Sequence, residues 1–166
     1  MIVIDIIAIL IILFGAVLWA WYTTNSKKTQ ITIPFKESMD LVNLPIVTFV
    51  NNDIKLHFLL DTGSDDSFIN CSIVDKLKID SRESISGSIA TGGGIIDSAE
   101  AITMDIYYRE HKFKNKFLVH NFNDAFKSAF GNTGIVIHGI IGSIFFQRYK
   151  YVLDFNNLDA KSNLKK

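Results

Sequence analysis

The stretch Phe58-Leu59-Leu60-Asp61-Thr62-Gly63-Ser64 constrains this chain more than any other. Three consecutive apolar residues pin the backbone in a core, and the residue that follows is a carboxylate. Asp61 must therefore emerge just as the chain turns, with small residues behind it. Thr62 and Ser64 offer hydroxyls to its surroundings, and Gly63 allows close backbone approach. An acid held this way is suited to chemistry on water. An ordinary strand-end turn is the plain alternative, because Asp, Thr, Gly and Ser are all turn formers.

A second stretch narrows the choice. His138-Gly139-Ile140-Ile141-Gly142-Ser143-Ile144-Phe145-Phe146 is followed by Tyr151-Val152-Leu153-Asp154-Phe155. An apolar strand, a Gly-Ile-Ile-Gly segment, a short helical run and a closing strand describe a buried loop passing beneath a site. In this order the two stretches resemble the retropepsin family, the single-lobed, retroviral-type aspartic proteases, over roughly residues 44 to 156. The resemblance implies an all-β fold, a closed barrel with one or two short helices.

It also implies roles. Asp61 is the catalytic residue. Thr62 matches the position whose hydroxyl locks two loops across a dimer axis, Gly63 offers its carbonyl to substrate, and Ser64 hydrogen-bonds the aspartate. Asp65 and Asp66 match acids that bind substrate backbone, with a solvated acidic turn as the alternative. Where retroviral enzymes carry an arginine to buttress the first of these acids, this chain has Ser143. The segment Ser84 to Ile96, with Gly92, Gly93 and Gly94 at its tip, looks like the flap hairpin that closes over substrate. A bare linker is the alternative there. Ile89, Ile95, Ile140 and Ile141 would form apolar substrate walls.

One aspartate is half of such a site. The mechanism needs two facing carboxylates sharing a proton, and at about 3 Å apart both cannot ionise comfortably. With a single Asp-Thr-Gly, the second carboxylate must be Asp61 of another copy, which implies a C2 homodimer. The expectation is a peptidase acting on peptide or protein substrates with neither metal nor organic cofactor. A non-catalytic dimeric peptide-binding or assembly module of the same fold is the competing reading. An unrelated β-barrel binding domain is a third.

Composition fits one compact domain and an appendage. The 166 residues are too few for two full lobes. Seventeen basic and seventeen acidic residues cancel, and no long basic block points to nucleic acid. The four histidines, His57, His111, His120 and His138, lack metal-motif spacing. His57 falls on a strand face, whereas His138 borders the Gly-Ile-Ile-Gly loop and is placed to influence pH dependence. Cys71, the only cysteine, has no internal disulfide partner and is expected to pack as a small apolar residue.

Residues 2–22 pose a separate problem. This apolar run of 21 residues contains one charge, Asp5. A helix rising about 1.5 Å per residue would span a hydrocarbon core of ~30 Å over that length. Trp19, Trp21 and Tyr22 lie at its far end, as interfacial aromatics do. The expected layout is a transmembrane anchor over 1–22, a linker over 23–43, the protease-like domain over 44–156 and a polar tail over 157–166. Lys27 and Lys28 favour a cytoplasmic domain by the positive-inside rule. Within the domain, Asn51-Asn52-Asp53 joins two β-rich runs as a hairpin turn, and Phe122, Phe126 and Phe130 have helical spacing.

Overall fold

The computed structural model describes residues 14–19, 30–91, 94–124, 126, 131 and 133–162, with residues 88–98 described by backbone alone. Among the described residues the elements from residue 31 onward are β1 Ile31–Pro34, α1 Lys36–Val42, β2 Ile46–Asn51, β3 Ile54–Leu60, β4 Ser67–Asn70, α2 Cys71–Val74, β5 Ser81–Thr91, β6 Gly94–Tyr108, β7 His111–His120, β8 Gly139–Ile141, α3 Ser143–Tyr149, β9 Tyr151–Asp154 and β10 Asp159–Ser162. Seven strands form one sheet in the order β2-β3-β8-β4-β7-β6-β5, and a β2–β6 pairing closes it into a barrel. The all-β barrel with few short helices is the expected architecture.

Local sequence explains most of it. Asn52 and Asp53 take positive φ (48° and 66°), the geometry that a two-residue turn needs to match strand twist between β2 and β3. Along β3, Leu56, Phe58 and Leu60 are buried while Lys55, His57 and Leu59 face the other way. That period of two commits one face to the core. Phe49, Phe58, Phe113, Phe117 and Phe145 fill it, with Phe58 stacked on Phe117 at 5.3 Å and Phe49 edge-on to Phe113 at 5.8 Å. Barrel closure has a polar fastener. Buried Asn51 donates from Nδ2 to the Lys78 and Asp105 carbonyls (2.9 and 2.8 Å) and accepts the Lys78 N–H at 2.8 Å. Its amide is thus satisfied inside the fold.

The domain reaches further than 44–156 at both ends. A second sheet, β1-β10-β9, joins the expected closing strand β9 to β1 and β10, which fall in the expected linker and tail. Ile31 pairs with Ser162 and Pro34 with Asp159. Ile31, Ile33 and Phe35 are buried in the main core, as is Ala160. The alternation of Ile31 and Ile33 is visible in sequence, but β10 (Asp-Ala-Lys-Ser) has one apolar residue and draws its stability from pairing. Ser38 fixes α1 to the barrel by accepting the Ile46 N–H at 2.9 Å. The β9–β10 turn is held by Asp154, which accepts from Asn157 Nδ2 (2.6 Å), the Asn156 and Asn157 N–H groups (both 3.0 Å) and Lys161 Nζ (2.9 Å).

Cys71 also departs from expectation: it is exposed where β4 gives way to α2. Of the apolar stretch 2–22 only 14–19 are described, helical and exposed at Phe14, Val17, Leu18 and Trp19. Among the described residues no helix is long and apolar enough to cross a membrane, and the expected span lies largely outside them. The helix expected from Phe122, Phe126 and Phe130 likewise falls mostly outside the described residues.

Two outcomes test this description. Phe35→Ala should cost about 3–5 kcal/mol in urea unfolding, whereas a residue in a mere tether would cost nothing. Asp154→Asn should lower the melting temperature at neutral pH, with a gap that closes in acid. The hydrogen bonds from Asn157 and Lys161 hold the Asp154 carboxyl well below the usual carboxylate range. Its contribution is therefore present above the unfolded value of about 4 and lost as pH falls further.

Candidate active site

Asp61 stands immediately beyond β3, and its position is set by what runs alongside. β8 is inserted between β3 and β4, parallel to the first (Leu59↔Ile140) and antiparallel to the second (Phe68↔Ile140). The Asp61 N–H donates to the Ile141 carbonyl at 3.0 Å, so the last ladder bond of β3 ends on the candidate residue. Asp61 Oδ1 accepts the Gly63 N–H at 2.9 Å. The side chain is partly exposed, and Thr62 and Gly63 are exposed.

The chain after Asp61 rests on the start of α3. Ser143 N–H donates to the Ser64 carbonyl (2.7 Å) and Ile144 N–H to the Asp65 carbonyl (3.1 Å). Gly142 N–H donates to Oγ of Ser67, which is buried, at 3.0 Å. Two glycines allow this approach. A Cβ at Gly142 would collide with the Asp66 carbonyl oxygen, and one at Gly139 with that of Phe68. The Gly-Ile-Ile-Gly segment is thus a buried crossing whose end residues have no room for a side chain.

The sequence candidates separate once placed. Ser64 Oγ donates to the Asp66 carbonyl at 2.8 Å instead of reaching Asp61. The hydroxyl serves the turn, and Gly63 N–H takes the place expected of it. Asp65 and Asp66 are exposed, and a long 3.4 Å contact from Ser143 Oγ to Asp65 Oδ1 stands where an arginine ion pair would be. Ile140 is half-buried against a second apolar cluster of Phe68, Ala101 and Leu118, with Ile85 and Phe122 beside it. Ile141, by contrast, is wholly buried in the main core. Strand alternation forbids both isoleucines from lining one wall, so Ile141 contributes its carbonyl, not its side chain. Gly92 and Gly93 lie outside the described residues. Gly94 pairs with Thr91 at the described end of a long β5–β6 hairpin.

Three further residues hold this site; sequence reasoning missed two of them and placed the third, His138, only beside the Gly-Ile-Ile-Gly loop. Ser67 and Asn70 belong to β4, and Asn70 N–H donates to the His138 carbonyl at 2.7 Å. His138 is the third: its Nδ1 accepts the His57 N–H at 3.1 Å. A polar residue beginning an apolar strand was the available signal for Ser67. Nothing in the sequence announces the other two contacts. Among the described residues no group of three or more His, Cys, Asp or Glu side chains is arranged to hold a metal ion.

The chain belongs to the aspartyl protease family, whose model matches residues 47–145 and so takes in Asp61 and the 139–142 crossing. Two solved structures are similar in overall shape. EIAV protease bound to an inhibitor has a TM-score of 0.49 and 23% identity, covering 70% of this chain and 97% of its own. A retropepsin-like aspartic protease from Rickettsia conorii has a TM-score of 0.44 and 20% identity, covering 80% of this chain and 90% of its own. No curated protein matches.

The crossing makes its own prediction. Ser67→Ala should retain the fold but cost about 1–3 kcal/mol in denaturant, because it strands the buried Gly142 N–H. Gly142→Ala should be far worse, since backbone must move to admit the methyl group. Comparing the two by urea titration checks the order.

Proposed function

We propose that this chain is an aspartic endopeptidase that works as a homodimer, with Asp61 of each copy supplying one of two facing carboxylates. The observation that carries the reading is Asp61 itself: its carboxylate accepts the Gly63 N–H and its backbone N–H donates to the Ile141 carbonyl, at an exposed turn, in a chain of this family. In the proposed cycle one carboxylate is ionised and takes a proton from a water molecule as its oxygen attacks the scissile carbonyl carbon. The other, protonated, gives its proton to the carbonyl oxygen. Collapse of the tetrahedral diol breaks the C–N bond, and the leaving nitrogen takes up a proton.

Substrate preference on this reading is apolar beside the cleaved bond, because Ile140 and Leu59 share the face that leads to Asp61. Asp65 and Asp66 are free to take substrate backbone N–H groups, and the β5–β6 hairpin serves as flap. The apolar 2–22 stretch anchors the enzyme in a membrane, with the domain on the cytoplasmic side. Confinement to two dimensions favours the pairing of subunits.

The test is cleavage of a peptide library by the full chain in liposomes from pH 4 to 8, beside Asp61→Asn. Wild type should cut between apolar residues, and Asp61→Asn should lose about 10²–10⁴-fold in kcat/KM. Equal activity in the two would remove Asp61 from the chemistry. A dimer silent under all conditions would favour the peptide-binding module.

A further inference from the structure

Behind the crossing, β3 and β8 are joined by a side chain where strand pairing runs out. β8 begins at Gly139, and the residue before it makes three bonds in different directions. His138 N–H donates to the His57 carbonyl (2.8 Å), and its own carbonyl accepts the Asn70 N–H (2.7 Å). Its ring nitrogen Nδ1 accepts the His57 N–H (3.1 Å). His138 thus ties β3 to β4 just below the site, and the chain then runs three residues, about 10 Å, to the Ile141 carbonyl that receives Asp61.

We infer that His138 is a positioning residue whose neutral imidazole completes the β3–β8 ladder, and that its protonation in acid loosens the loop behind Asp61. The reason is stoichiometric. A backbone N–H can only donate, so Nδ1 must present a lone pair, with the ring proton on Nε2. An imidazolium carries protons on both nitrogens and accepts nothing. Charging His138 therefore turns an attractive contact into two opposed N–H groups. The latch follows from geometry alone; its consequence for cleavage rests on the proposed role of Asp61.

The surroundings oppose the charge. The His57 ring lies 5.4 Å away, with its Nδ1 at 2.8 Å from Thr48 Oγ1. Both rings line a cavity of about 550 Å³ shared with Glu37 from α1, Tyr108 from β6 and the segment from Thr133 to Val136. Burial lowers the pKa of both imidazoles; Lys55 adds to this at His57, and His57 at His138. Glu37 is exposed at the cavity rim. With the folded values depressed, the unfolded chain takes up protons first. The histidine contribution is then present above the unfolded value near 6.5 and lost as pH falls through the lower folded value.

Hydrogen exchange of the full chain tests this without requiring activity. An Asp61→Asn background removes the titration of Asp61 and any self-cleavage. Exchange of residues 57–61, corrected for the intrinsic rate, is followed between pH 7 and pH 5. With His138 intact, protection should fall on the order of tenfold, the worth of one hydrogen bond. His138→Asn places a non-titrating carbonyl oxygen near the position of Nδ1 and should keep its protection in acid. His138→Leu should be weakly protected at both ends of the range. An identical acid loss in the His138 and His138→Asn chains would overturn the inference, as would no loss in either. With Asp61 restored, the acid limb of kcat/KM should move to lower pH in His138→Asn. A catalytically silent protein would sink the protease reading while leaving the exchange result to stand.

Discussion

The passage of β8 between β3 and β4 is the constraint on which the rest of the structure depends. A strand parallel to one neighbour and antiparallel to the other must enter and leave the sheet through the sheet's own connections. The only room is against the Phe68 carbonyl at one end and the Asp66 carbonyl at the other. Gly139 and Gly142 follow from that geometry, because neither contact admits a Cβ. Everything that holds Asp61 is downstream of it: the Ile141 carbonyl, the Ser67 hydroxyl and the first N–H groups of α3. Interiors this closely packed transmit small displacements instead of absorbing them.

The same crossing separates two apolar clusters with different tasks. On one side Phe58, Ile141 and Phe145 join the main core, where ring packing around Phe113 and Tyr151 seats α3. On the other, Phe68, Ala101 and Leu118 make a smaller cluster with Ile140 beside it, only half covered. Alternation along three residues of β8 thus sends neighbouring isoleucines to different clusters. Ile141 is committed to the fold, and Ile140 faces the surface that leads to Asp61.

Much of this was legible in the sequence, for reasons that also explain what was not. The strands on either side of Asn51-Asn52-Asp53 carry their own signal, since β-branched alternation and a turn needing positive φ are local properties. The Asp61 segment and the Gly-Ile-Ile-Gly segment are legible because sterics leave few other residues possible there. β10 was hidden: Asp-Ala-Lys-Ser has no strand pattern, and it pairs only because β9 and β1 flank it. Ile31 and Ile33 alternate as an edge strand does, but a short alternation has no meaning until a partner strand exists. The family resemblance assigned the hydroxyl of Ser64 to Asp61, whereas turn geometry gave it to the Asp66 carbonyl. Side chain to backbone bonds across distant segments, such as that of His138, leave no local trace.

The Asp61 turn has an asymmetry that bears on the proposed pairing of two copies. Below, the turn is satisfied: Asp61, Ser64 and Asp65 each use a backbone group on the 141–144 segment, and Oδ1 of Asp61 is occupied by Gly63. Above, Thr62 and Gly63 are exposed. A partner approaching along a two-fold axis would therefore meet a surface whose shape is already fixed from within the subunit. Little ordering entropy remains to oppose association at the site itself, because the residues that must be rigid are rigid beforehand. The work of association falls instead on bringing two like-charged carboxylates together, which a shared proton relieves. On the proposed reading, dimerisation and the protonation state of the Asp61 pair are then one coupled equilibrium. Conditions that favour a single shared proton would favour both the dimer and its chemistry.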